Sequence, residues 1–202
     1  MSEQKERQTI SKYRVCNYGE VMTARREVEA MLDLVKDEAS CVSSRFLEPS
    51  CGNGNFLVAI LERKLKTVID NYKKKDVDLA YFEAQLLLAL SSIYGIDILQ
   101  DNIDVSRNRM LDIAIEAYLK ALNQIPKLWF QDTMRLILCK NIIHGDSLNG
   151  TNDIIFTQWT LENEDYFELE EYAFDSLTDP QNVPLLSYPP THYTRLLEME
   201  WL

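Results

Sequence analysis

The sequence is expected to fold as an α/β protein with a mostly parallel sheet and helices on both faces. Two observations carry that expectation. Short apolar runs ending in an acid ("RFLE", "SIYGID", "NIIHGD") alternate with long stretches of helical periodicity. One of these runs opens into "EPSCGNGNF", which places two of the chain's six glycines two residues apart. Glycine there permits a tight strand-to-helix turn, lets a ligand approach the backbone, and leaves the free N–H groups of the helix start available.

The elements follow in order. Residues 1–14 ("MSEQKERQTISKYR") read as a flexible polar arm without the apolar core of a signal peptide. A helix is expected from about Thr23 to Lys36, with Thr23 as its N-cap and Val28, Met31, Leu32 and Val35 on one face. "DEASCVSS" reads as a loop leading into a strand at 45–48. The helix after the glycine turn, 55–71, aligns Phe56, Leu57, Ile60, Leu61 and Leu65. "NYKKKD" then breaks the chain before a second helix in "VDLAYFEAQLLLAL". A short buried strand in "SIYGIDI" precedes the long amphipathic helix of "LQDNIDVSRNRMLDIAIEAYLKAL". "NQIPKLWFQDTMRLILCK" admits a loop with either a short helix or a strand. "NIIHGDSL" reads as strand and loop, and "NDIIF" as a further strand followed by Thr157-Gln158-Trp159. Past Trp159 the periodicity weakens. "TLENEDYFELEEYAFDSLTDP" is compatible with a helix packed by one face. The last stretch, with three prolines, reads as irregular and admits a short terminal helix, its "SYPPTHY" a surface turn.

Composition narrows the function classes. At 202 residues the chain fits one domain with an appendage. No apolar run approaches the roughly 18 residues of a membrane helix, so no membrane role is expected and cytoplasm is the default location. Cys16, Cys41, Cys51 and Cys139 form no CxxC pair and the histidines are only His144 and His192, so no metal site is expected. Cys51 reads as a small residue fitting the turn rather than as a nucleophile. Residues 141–202 contain 12 acids and one base, Arg195, and therefore carry the whole net charge of −11. Such a tail opposes electrostatic attraction to nucleic acid.

Acids sit where three strands give way to loops: Glu48, Asp97 and Asp146. An acid at the second strand end suits a ribose diol, and one after the third suits an exocyclic adenine amine. Taken singly, each also suits an N-cap or a turn.

With these residues in view, the chain resembles the class I S-adenosylmethionine-dependent methyltransferases, specifically the adenine-N6 DNA methyltransferases of restriction–modification systems. "FLEPSCGNGNFL" resembles their cofactor loop, "NYGEVMTARREVEAMLDLV" the segment before it, "IYGIDILQDNIDVSRNRM" their second-strand motif and "IIHGDSL" their third. The likeness covers roughly residues 13–156, with Ala24 where a proline is usual. It implies a Rossmann-like methyltransferase fold and S-adenosylmethionine as cofactor. Thr23 and the turn residues Glu48, Pro49, Ser50, Gly52 and Gly54, with Phe56 behind them, would hold the methionine part. Asp97 would bind the ribose, Ile98 would pack on the adenine, and Asp146 with Leu148 would close over it.

The same family ends its fourth strand in Asn/Asp/Ser-Pro-Pro-Tyr/Phe, where polar groups hold the target amine and the ring stacks on the flipped base. Here that position reads Thr157-Gln158-Trp159, making Gln158 and Trp159 the candidate acceptor residues. Only about 40 residues follow, too few and too acidic for a DNA-reading domain. The resemblance thus implies DNA as substrate, weakly bound alone, with a separate recognition subunit or a basic partner protein. The expected organisation is an arm at 1–14, a cofactor-binding domain at 15–160 and an acidic extension at 161–202. Three readings stay open: an adenine-N6 methyltransferase, a cofactor-binding regulatory subunit without transfer activity, or a folded relic.

Overall fold

A computed structural model of the chain describes residues 14–16, 20, 23–74, 77–149, 153–179 and 181–201. The expected arm lies outside these residues except for Arg14. Helix α1 (Arg25–Asp33) is capped not by Thr23 but at Ala24, whose N–H donates to the Glu27 carboxylate at 3.0 Å. Alanine has no side-chain acceptor, and the Glu27 N–H goes to the Ala24 carbonyl instead, at 2.9 Å. The chain breaks at Leu34 and Val35, and a short helix α2 (Lys36–Ser40) occupies part of the expected loop.

Strand β1 (Phe46–Glu48) leads through the glycine turn into α3 (Asn55–Lys74). Helix α4 (Leu79–Ser91) starts where the Asp78 carboxylate accepts the Tyr81 N–H at 2.9 Å. It runs into β2 (Ile93–Asp97), which is buried throughout. Helix α5 (Gln100–Leu122) ends at Asn123, whose left-handed φ of 54° stops the helix. The stretch that the sequence left undecided is helical, α6 (Leu128–Asn141), and passes directly into β3 (Ile142–His144). The three strands form a parallel sheet in the order β1–β2–β3, with Glu48 opposite Gly95 and Asp97 opposite His144. Each crossover therefore holds two helices, and these pack on one another in the main core.

The remainder corrects the expected fold. β4 (Ile155–Glu162), β5 (Tyr166–Ala173) and β6 (Leu186–His192) form a separate antiparallel sheet, so the described residues hold three parallel strands and no mostly parallel, Rossmann-like sheet. Asn163 and Glu164, both at positive φ (47° and 70°), reverse the chain between β4 and β5. The segment expected as an acidic helix is thus half of a hairpin, in which Phe167 and Leu169 point into the core and Glu168 points out. "SYPPTH" lies in β6 rather than in a turn. Among the described residues it pairs only with β5, and an edge strand tolerates prolines that cannot donate to a ladder.

The course of β4 matters most for function. The Ile154 side chain packs against Gly145, just past β3. The Tyr94 hydroxyl donates to the Thr157 carbonyl at 3.0 Å, Arg45 donates to Gln158 Oε1 at 2.8 Å, and Trp159 Nε1 donates to Asn141 Oδ1 at 2.9 Å. Arg45 precedes β1 and Asn141 precedes β3. Strand β4 therefore descends from the C-terminal toward the N-terminal ends of the parallel strands. Tyr94 and Ile96 meet Ile154 and Phe156 in a small second core, where a doubly wound sheet would carry helices.

The acidic extension is part of the body. Trp159, Phe167, Leu169, Tyr193 and Leu196 join the main core, and the expected boundary at 160/161 falls inside β4. Buried Glu83 on α4 accepts the hydroxyls of Tyr118 and Tyr193, each at 2.8 Å, and so ties the final segment to the helix layer. At the N-terminal ends of β1 and β2, fully buried Lys64 donates to the carbonyls of Cys41, Val42 and Ser44 and to Ser92 Oγ. Burial pushes its ammonium down to about 8.

Candidate functional site

Because β1, β2 and β3 are parallel, their C-terminal ends share one rim, and the loops leaving them are stitched together there. Gly52 N–H donates to Asp97 Oδ2 at 2.8 Å, and Cys51 N–H to the Ile96 carbonyl at 2.8 Å. Gly145 N–H donates to the Asp97 carbonyl at 3.0 Å, His144 Nε2 lies 3.0 Å from the Ile98 carbonyl, and Ser147 Oγ donates to the Pro49 carbonyl at 2.9 Å.

The turn requires its glycines. Gly52 and Gly54 have φ of +53° and +83°, values that L-residues with a side chain adopt at a cost. A Cβ on Gly54 would stand 2.9 Å from Ser106 Oγ, whereas one on Gly52 would meet nothing within 4 Å. Ser106 itself donates to the Gly52 carbonyl at 2.9 Å and fixes the turn against α5.

Glu48 is half-buried and accepts the Ser50 N–H at 3.2 Å. Burial raises its carboxyl above the ordinary range, against the pull of that hydrogen bond. Cys51 is buried, and burial, followed by the charges of Asp97 and Glu48, pushes its thiol up to about 12. A thiol so disfavoured as thiolate is no nucleophile at neutral pH, in line with its reading as a small turn residue.

Asp97, 7% exposed, accepts Gly52 N–H, Leu99 N–H at 2.9 Å and Asn102 Nδ2 at 3.1 Å. Asp146 folds back on its own loop, accepting the N–H groups of Leu148 and Asn149, which hold it below its ordinary range. That is the turn-forming behaviour of Asp. Ile98 and Leu148, at 47% and 86% exposure, leave two large apolar side chains on the rim. Thr23 joins the site through its carbonyl, which accepts Asn55 Nδ2 at 3.0 Å at the start of α3. Phe56 packs half-buried against the main core behind the turn.

Gln158 and Trp159 do not join this rim. Both belong to the middle of β4, at the opposite end of the parallel strands. Trp159 is 3% exposed, packed beside Phe167 and Trp201, so its ring offers no face to a base. Gln158 is held between Arg45 and Glu170 beside an apolar cavity of about 170 Å³ under Phe46, Tyr94 and Phe156. The expectation of an acceptor site at these two residues is therefore corrected: β4 runs the wrong way to bring its residues to the turn.

Several residues of the rim escaped the sequence reading. Asn102, Ser106 and Arg109 line one face of α5 at helical spacing, and Arg109 donates to the Asn53 carbonyl and to Asn55 Oδ1. The usable signal was polar residues recurring at helical spacing on a face of α5 that turns inward, since Asn102 and Ser106 are buried.

Among the described residues no group of His, Cys, Asp or Glu is placed to hold a metal ion, and no helix is long and apolar enough to cross a membrane. Comparison with protein-family models, with curated proteins and with solved structures finds no match to this chain.

Proposed function

We propose that the protein binds S-adenosylmethionine at the C-terminal rim of β1, β2 and β3 and acts as a cofactor-binding subunit that does not itself transfer the methyl group to DNA adenine. The observation that supports binding is the left-handed glycine turn held by its Gly52 N–H to the Asp97 carboxylate of the neighbouring strand. The turn leads into the first residues of α3, and the start of a helix suits a carboxylate. The chemistry of the rim suits an adenosyl ligand: Glu48 would take an ammonium, Asp97 a hydroxyl, and the exposed Ile98 and Leu148 a flat ring. Bound, the cofactor would supply an electrophilic methyl group on its sulfonium.

What argues against transfer is the direction of β4, which leaves the rim without an acceptor from that strand. The outer face of β4 and β5 also presents Glu162, Glu168 and Glu170, which repel a phosphate backbone. Methylation of DNA adenine would have to take its acceptor residues and its recognition surface from a partner protein.

Calorimetric titration with S-adenosylmethionine tests the binding. The wild-type chain is expected to bind in the micromolar range, about −8 kcal/mol. Ile98→Asp, at an exposed position that the core does not need, is expected to weaken binding at least tenfold. A folded wild-type protein that takes up no ligand overturns the proposal. Tritium passing from the labelled cofactor to unmethylated DNA, with no partner added, would restore the enzyme reading.

A further inference from the structure

The expectation that Asp97 receives both hydroxyls of a ribose meets an arithmetic obstacle. A carboxylate offers about four acceptor positions. On Asp97, Oδ1 already takes Leu99 N–H at 2.9 Å and Asn102 Nδ2 at 3.1 Å, and Oδ2 takes Gly52 N–H at 2.8 Å. Among the described residues a single position remains, on Oδ2. These bonds are part of the fold, since they hold the glycine turn and the start of α5, and a ligand displacing them would undo its own site.

A second carboxylate lies next to the first. Asn102, 5% exposed, spends one N–H of its side-chain amide on Asp97 and the other on Glu20 Oε1, at 3.1 Å. Its carbonyl accepts Arg14 Nη2 at 3.0 Å. Arg14 also holds Glu20, through Nε to Oε2 and Nη2 to Oε1, and reaches Asp101. The Glu20 side chain is 9% exposed and, counting the described residues, has one acceptor position left, on Oε2. Two nearly buried carboxylates are thus bridged by a single NH₂ group, with the Arg14 guanidinium offsetting their repulsion. Each has room for one further donor.

We infer that Glu20 and Asp97 form a paired acceptor for a vicinal diol, each taking one hydroxyl of the ribose, with Asn102 as the positioning residue between them. This rests on the reading of the rim as a nucleoside site and adds to it a ligand contact from the segment before α1. The pairing selects ribonucleosides over deoxynucleosides, because a missing hydroxyl leaves a nearly buried carboxylate without its last partner.

The test uses the full chain and calorimetry with S-adenosylhomocysteine and its 2′-deoxy and 3′-deoxy counterparts. Wild type is expected to lose on the order of tenfold in affinity for each deoxy ligand, as for a hydrogen bond to a charged group. Glu20→Ala is expected to bind the parent about tenfold more weakly and to become indifferent to one of the two deletions while still sensing the other. Glu20→Gln, which keeps the size of the side chain, carries the same comparison where Glu20→Ala folds poorly. If wild type binds all three ligands equally, the diol pairing is wrong while the cofactor site stands. If Glu20→Ala discriminates as wild type does, Asp97 alone serves the diol and the inference fails. If wild type binds none of them, the nucleoside reading falls and takes this inference with it.

Discussion

The glycine turn after β1 and the strand β4 are held by different physics. In the turn, backbone conformation and hydrogen bonds decide: two left-handed glycines, a carboxylate from the next strand and a serine from α5 fix its course. In β4, side-chain volume decides: Phe156 and Trp159 are enclosed by aromatic neighbours, and the strand is placed by what they fill. The first region is intolerant of shape change in the backbone and the second of lost volume. A ligand needs the first kind of rigidity, which cores alone do not supply.

Substitutions can break or sharpen this contrast. The largest effect is expected in β4, where Trp159→Ala should cost about 3–5 kcal/mol of stability by urea unfolding, as for other buried aromatics. A loss under about 1 kcal/mol would mean the ring is not a core element, and its role as an acceptor residue would reopen. In the turn, Gly54→Ala is expected to cost about 2 kcal/mol, because the left-handed backbone and the Ser106 contact both penalise a Cβ. Gly52→Ala, with open space around the added carbon, should cost only about 1 kcal/mol from its backbone alone. Equal costs at the two glycines would show that Ser106 yields and that the turn is looser than its hydrogen bonds suggest.

The same contrast explains what could be read from the sequence. The glycine turn was legible because glycine takes φ of +53° and +83° without a side-chain penalty, and the acids Glu48 and Asp97 mark the ends of their strands. The helices α3, α4 and α5 were legible from their apolar faces. The antiparallel sheet was not, although "FELE" alternates in and out, because its outward positions are filled by acids whose density imitates a charged helix face. α6 stayed undecided because its buried residues Phe130, Thr133, Met134, Ile137 and Leu138 are rich in β-branched and aromatic types that suit a strand equally. The direction of β4 had no local signal at all. It is set by Ile154 seating against Gly145 and Trp159 bonding to Asn141, contacts that the strand makes with residues outside itself. The role of Asn102 was hidden in the same way, since a polar residue in an amphipathic helix reads as solvated until its neighbours are known.

The measurement that bears most directly on this account is hydrogen–deuterium exchange of the full chain with and without S-adenosylmethionine. Ligand protection is expected at residues 48–57, 97–102 and 146–148, and no change is expected at 155–162. Protection in β4 around Thr157, Gln158 and Trp159, or none at the glycine turn, would contradict the separation of the rim from the antiparallel sheet on which the proposed function depends.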